Sequence, residues 1–430
     1  MNTLMQYIWA NKLVPKKELV TTDGDIIDIL NTGQYSPFGA GLFRNAKIKI
    51  GESTWSGNVV LHDKSSDWEK ELHNKKSTYD NVILHVTHCD DIETVRRHGE
   101  SVPQLHIKYS NRLEKEFYDA INENIALPCC NTIAEMSKIE LHCNLSRLLV
   151  ERIEEKAERI KSIYDLCDKR WDDALFRLLA RNFGFGIQSS AFETWASMLN
   201  MQALAKHRNN KLQVEAIFFG QAGLLEDSTI PAYYLSEAQN CKYYNDLKRE
   251  YKFLSNKFNL QSVDANIWNK GSYTPHLRIA RLATLYTNNN ISLSSIANCN
   301  TLQELRHIFQ VQPEGYWRFH LIFGGTETSG TSVLKNNQAD LLIINTVAPI
   351  LYTYGKHRND ARLCEKAEDF LHNLPNENNN IIRYWSQMGV NINCAADSQA
   401  LIHLRNNYCN KHKCAECRFA YAYLKEKIRA

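Results

Sequence analysis

The hydrophobic period of this chain changes once, near Arg112, and that change constrains its fold more than any other feature. Before it, apolar residues alternate or run in blocks of strand length; after it they recur at helical spacing. Residues 46–50 and 55–64 are extended runs joined by Gly51-Glu52-Ser53-Thr54, which predicts a hairpin. Residues 82–86 are apolar at nearly every position, as in a strand covered on both faces. Residues 26–30 and 105–109 complete a set of about five strands. Residues 32–44, with three glycines and a proline, read as a loop.

Beyond Arg112, Leu113, Phe117, Ile121 and Ile125 share one helical face, and Pro128 stops that helix. Residues 135–168 read as one long helix with a core stripe from Ile139 to Ile163, and residues 341–354 as a buried helix. Residues 397–407 and 417–428 read as the last two helices. The expected fold class is α+β: an N-terminal mixed β-sheet domain over residues 1–110, then a large all-helical region over residues 111–430. The helical region holds no obvious repeat or linker.

A length of 430 residues suffices for two or three cores. The net charge of +3 exerts no global pull on nucleic acid or acidic membranes, so a nucleic-acid or protein partner needs a local patch. The charge runs near residues 152–162 and 169–182 read as solvated helix faces, and Gly184-Phe185-Gly186 as a helix stop. The first residues lack a signal-peptide layout and no run approaches the ~20 apolar residues of a membrane span. A cytoplasmic location without membrane association is expected.

The densest polar chemistry lies on the second and third strands and the connection between them, and His62 or His85 is expected near an edge of the sheet. Its candidate catalytic residues are His62, Lys64, Asp67, Glu71, His73 and His85. Histidines on apolar strands serve either as satisfied core residues or as ligands, so His62 and His85 stay open on this point. Asp67, after two serines, reads as an N-cap, and Trp55 and Trp68 read as packing residues.

Twelve cysteines are many for such a chain. Eight of them (Cys89, Cys129, Cys130, Cys143, Cys167, Cys241, Cys299 and Cys364) show no ligand spacing and read as reduced packing or surface residues. Cys409, Cys414 and Cys417 follow a tight Cys-x4-Cys-x2-Cys spacing that suits Zn²⁺ or an iron–sulfur cluster, with Cys394 or His412 as the fourth ligand. The alternative is a set of packed, reduced thiols.

Several strings carry a resemblance: GAGLFRNAK from Gly39, WSGNVVLH from Trp55, Ser66-Asp67-Trp68 and YDNVILHV from Tyr79. Downstream come AIFFGQAGLL from Ala216, INTVAP from Ile344, DSQALI from Asp397, and Tyr408-Cys409 with Cys414 and Cys417. Together they resemble an uncharacterised bacterial family of unknown function, DUF2851, over nearly the whole chain. The family pattern, with Gly-Pro-Asp-Phe before the first hairpin strand and Val-Glu-Ile-His on the second, is similar in layout to a PD-(D/E)XK nuclease core. That layout implies two carboxylates holding Mg²⁺ beside a lysine.

This chain departs from the pattern where the metal needs it. Leu42 stands for the aspartate and Val60 for the glutamate, so Mg²⁺ is not expected there. In the connection, Glu71 takes a histidine's position and Lys76 an aspartate's, while Asp67, Trp68 and His73 are kept. The resemblance therefore implies a catalytically degenerate nuclease-like protein acting as a nucleic-acid or protein interaction module. The alternatives are an active metal-dependent phosphodiesterase with a displaced ligand set, using Glu71, Asp67 and His73, and a purely structural partner protein.

Overall fold

The computed structural model describes residues 3–36, 41–122, 129–268, 274–288, 291–312, 314–327, 330–331 and 333–429. The chain is α+β. It divides into two compact units: residues 1–144 with 383–391 and 401–430, and residues 145–382 with 392–400.

The first unit is built on a six-stranded mixed sheet. Its strands are β1 (Ile27–Asn31), β2 (Gln34–Tyr35), β3 (Leu42–Ile50), β4 (Ser53–Lys64), β5 (Val82–Cys89) and β6 (Gln104–His106). The spatial order is β1-β3-β4-β5-β6, with β2 also pairing with β3. The β1/β3, β2/β3 and β3/β4 ladders are antiparallel, whereas β4/β5 and β5/β6 are parallel. The three strands found at 46–50, 55–64 and 82–86 thus share one sheet. The hairpin turn is Gly51-Glu52, with Ile50 opposite Ser53 and Gly51 at φ +59°.

Two expectations change. Residues 32–44 are not simply a loop: β2 and the first residues of β3 fall within them. Gly33 (φ +85°) and Gly41 (φ +61°) are in the left-handed region, so these glycines turn an extended chain back on itself. Residues 37–40 lie outside the described residues. The sheet also does not present His62 and His85 at an edge. β4 and β5 are its central pair, because β3 covers one side and β6 the other, and both histidines are buried.

Around the sheet stand α1 (Leu4–Ala10), α2 (Asp67–Lys70), α3 (Asn111–Asn122) and α4 (Cys130–Glu135). α1 packs on α3, with the Tyr7 and Phe117 ring centroids 5.3 Å apart. Ile125 and Pro128 lie outside the described residues. The long helix expected from residue 135 begins instead at Lys138, as α5 (Lys138–Leu166). Met136, with ψ 145°, is too extended to continue α4.

The second unit is helical, and its described strands are the short pair β7 (His320–Ile322) and β8 (Gly325–Thr326). The apolar stretch at 341–354 is helical but interrupted. Asn336–Leu342 leads into a π-helical turn at Ile343–Val347 and then Ala348–Arg358. Lys156 lies against that turn, its Nζ donating to Asn345 Oδ1 (3.0 Å), Gln399 Oε1 (2.7 Å) and Ile344 O (3.5 Å). Burial, with Arg152 next, pulls the Lys156 ammonium down to about 7. Among the described residues, no helix is long and apolar enough to cross a membrane.

Candidate metal centre

The parallel pairing of β4 with β5 sets the site. Val60 is in register with His85 and His62 with Thr87, and alternation along β4 puts Val60 and His62 on one face. Leu42 on β3 is in register with Val60, so the two positions where the resemblance implies carboxylates are cross-strand partners. Both are sealed. Val60 is 0% and Leu42 5% exposed, and they share an apolar cluster with Trp68, Val82 and Val102. Methyl groups packed on an indole cannot hold Mg²⁺, a cation that needs oxygen ligands. The residues present do not fit that metal.

The connection from β4 to β5 folds over the same face. Asp91 anchors its start: Oδ1 accepts from Ser65 Oγ and Ser66 N, and Oδ2 from Ser66 Oγ, each at 2.8 Å. These bonds hold the Asp91 carboxyl down to about 2. Trp68, wholly buried, donates its indole N–H to Val95 O at 2.9 Å and pins α2 to the connection between β5 and β6. Glu71 follows at the C-cap of α2, and Leu72 reverses the chain in a left-handed conformation (φ 58°). His73 is thereby driven into the interior, where its ring stacks on Tyr79 at 3.7 Å. Sequence spacing gives no sign of this reversal, because a leucine seldom adopts positive φ.

Here the candidates meet. The ligand atoms of His62, Glu71 and His73 all lie within 4.8 Å of one another, the only such group of three among the described residues. Glu71 Oε2 is 3.3 Å from His73 Nε2 and 3.7 Å from His62 Nε2. Both histidine side chains are nearly inaccessible, whereas that of Glu71 is 42% exposed. The group is therefore buried on the imidazole side and open to solvent on the carboxylate side. His62 Nε2 and both ring nitrogens of His73 are buried without a well-formed hydrogen bond.

His85 stands behind His62. His62 Nδ1 lies 2.9 Å from His85 Nε2, and His85 Nδ1 lies 2.8 Å from Thr94 Oγ1. Thr94 is held in turn by Gln104, whose Oε1 accepts the Thr94 N–H and whose Nε2 donates to Asp90 Oδ1. One tautomer chain suits a metal: His85 Nδ1–H donates to Thr94, His62 Nδ1–H donates to His85 Nε2, and a lone pair is left on His62 Nε2 facing Glu71. This is the usual second contact of a metal-ligating histidine. Burial holds His62 and His73 down to about 4 and His85 down to about 3. All three rings are neutral at pH 7, the form a metal requires.

The remaining candidates stand outside the group. Asp67 is the first residue of α2 rather than its N-cap, which is Ser66. Its carboxylate turns back to accept from Lys64 N (3.2 Å) and Lys70 Nζ (2.8 Å), which absorbs it locally. Lys64 itself is exposed. Thr94 and Gln104 were not marked by any sequence pattern, since their role arises only from the pairing of β5 with β6. Of the cysteines, Cys409, Cys414 and Cys417 belong to the first unit and Cys394 to the second. There the Cys394 sulfur lies 4.0 Å from His372 Nδ1.

These features define an α+β protein in which the mixed sheet and the connection from β4 to β5 carry a His-Glu-His group beside a sealed apolar core. The chain belongs to the family described as "Protein of unknown function (DUF2851)", which matches residues 2–380. No curated protein and no solved structure matches it.

Proposed function

We propose that this chain is a metal-dependent hydrolase acting on phosphodiesters, with His62, Glu71 and His73 as the metal ligands. The observation that carries the reading is the convergence of two neutral, buried imidazoles and one carboxylate within 4.8 Å. Two histidines and a glutamate make a three-ligand set that leaves a position open, as in hydrolytic zinc sites. Imidazole ligands favour Zn²⁺ and neighbouring transition metals over Mg²⁺. Such an ion, when bound, supplies a Lewis acid and lowers the pKa of water.

The chain's own residues do the rest. His85 and Thr94 orient His62, Tyr79 and Trp68 wall the imidazole side, and Glu71 opens the site to solvent. Lys64, Lys70, Lys75 and Lys76, all exposed, lie on or beside the connection that carries Glu71. Lys76 Nζ donates to the Glu71 backbone carbonyl at 2.8 Å, which sets one of these cations beside the carboxylate residue, as suits a phosphate-bearing substrate. The family resemblance supports the same class. The carboxylate missing at Val60 is matched by one gained at Glu71, where the resemblance implies a histidine, so a mixed His/carboxylate set survives the exchange.

The test is Zn²⁺ and Mn²⁺ titration of chelator-treated protein, followed by hydrolysis of bis(p-nitrophenyl) phosphate and of single- and double-stranded DNA and RNA. Metal-dependent turnover, lost in H73A and E71Q, is the expected result. Absence of metal binding overturns the reading. A second reading, a non-catalytic nucleic-acid module, is favoured by the sealing of Leu42 and Val60. Metal binding and salt-dependent affinity for nucleic acid, without turnover on any substrate, would establish it instead.

A further inference from the structure

The C-terminal cysteines lie in the first unit, remote from the hydrolytic group in sequence, and that reading leaves them unused. Cys409 ends the π-helical turn Leu404–Cys409. The chain then doubles back through His412 (φ 51°), with His412 N donating to Cys409 O and Lys413 N to Tyr408 O. Cys414 opens the 3-10 turn Cys414–Glu416, and Cys417 N donates back to Cys414 O at 3.2 Å. Cys417 then precedes the helix beginning at Arg418. Two turns thus double the backbone back between the three cysteines, and Cys414 and Cys417 are buried.

The fold adds a partner that spacing could not reveal. The helix beginning at Arg418 packs against α4, and Cys129 is the N-cap of α4. Cys129 at the start of α4 and Cys417 at the start of the helix beginning at Arg418 thus belong to two packed helices, and the turn that carries Cys409 and Cys414 leads directly into the second of them. Cys130 is otherwise engaged, its sulfur 3.3 Å from the Tyr384 hydroxyl. Cys394, an expected fourth ligand, belongs to the other unit. His412, the other expected fourth ligand, lies on the turn between Cys409 and Cys414, with its Nδ1 buried and unbonded.

We propose that Cys129, Cys409, Cys414 and Cys417 form a four-thiolate site for an iron–sulfur cluster, which ties the C-terminal segment to α4. The width of the arrangement selects the cluster over a single ion. Four sulfurs around one zinc at Zn–S ~2.3 Å stand only ~3.8 Å apart. Among the described residues, no three cysteine sulfurs come within 4.8 Å of one another. A cube of iron and sulfide held by four cysteines fills a wider space. Binding converts four thiols to thiolates, with release of their protons.

The experiment is anaerobic purification of the full chain, with iron, sulfide and zinc analysis and visible absorption spectra. Roughly four iron and four sulfide per chain are expected, lost in C129S and C417S and retained in C394S and H412A. Because C129S could fail to fold, unmodified protein is also alkylated with and without its metal, and the modified cysteines are mapped by mass spectrometry. Metal-dependent protection of Cys129, Cys409, Cys414 and Cys417, with Cys89 and Cys143 reacting throughout, supports the assignment. Absence of metal, a single zinc in place of iron, protection that omits Cys129, or loss of metal in H412A overturns it.

Discussion

Metal binding at His62, Glu71 and His73 should resist acid far better than an ordinary histidine site. A ring at the usual value of about 6.5 is only about 3% neutral at pH 5, against about 76% at pH 7. Two such ligands together lose roughly 600-fold in apparent metal affinity over that interval, because each must shed a proton to bind. Here burial holds His62 and His73 to about 4. Each ring is then still about 90% neutral at pH 5, and the expected loss through the imidazoles is below about twofold.

The assay is competitive Zn²⁺ titration against a chelator whose own pH dependence is known, at pH 7, 6 and 5 in constant salt. NMR titration of the ring protons, assigned with H62Q, H73Q and H85Q, checks the cause independently. A Zn²⁺ affinity that falls several hundredfold by pH 5, with the rings titrating near pH 6.5, would refute the argument. It would mean that water reaches the imidazole side and that the wall formed by Trp68 and Tyr79 does not exclude it.

Further consequences concern stability. The folded values of His62, His73 and His85 lie below the unfolded value of about 6.5, so the unfolded chain binds more protons between the two. Stability of the first unit should thus fall as pH drops from about 6.5 towards 4, by at most about 3 kcal/mol for His62, and be insensitive to these groups above that window; urea unfolding at fixed pH values measures this. W68F removes the donor to Val95 O as well as packing volume, and should cost about 1–3 kcal/mol and weaken Zn²⁺ binding. In the second unit, His276 is buried with neither ring nitrogen bonded and its value held to about 3. Packed beside Phe219, Trp317 and Phe323, it should be replaced by phenylalanine with no loss of stability at pH 7 and a gain at pH 5, read by thermal unfolding.

The sheet was legible because β3 alternates apolar with polar residues, β5 is apolar at nearly every position, and the hairpin turn carries its own glycine. The boundaries of residues 32–44 were not, because a glycine that bends a strand and one that marks a loop look the same in sequence. Of the site, every residue that converges was already visible as a candidate, but the grouping was not. His73 enters the interior only because Leu72 adopts a left-handed conformation, and Glu71 reaches both imidazoles only because Trp68 fixes α2 over β4. Neither event leaves a periodic trace. The place of Asp67 before Trp68-Glu69-Lys70-Glu71 suits a cap, yet the helical turn starts one residue earlier, with Ser66 as its N-cap. Cys129 carries no spacing signal, because the cysteines proposed to join it lie far along the chain.

The exchange of carboxylate positions has a physical logic that the sheet makes plain. A glutamate at Val60 would sit at a wholly buried place against Trp68 and in register with His85. An ionised carboxylate is tolerable there only with a cation permanently beside it. At Glu71 the same charge is 42% exposed, so it stays hydrated when no metal is bound and the imidazoles stay neutral in either state. With Val60 and Leu42 apolar, the core beneath the site closes without any ion, and metal is no longer needed to offset a buried charge. The folding core, coupled to the ion in the arrangement the family resemblance implies, here closes without it, although Trp68 still belongs to both core and site. A metal held as proposed by His62, Glu71 and His73 should therefore come and go without unfolding the sheet beneath the site.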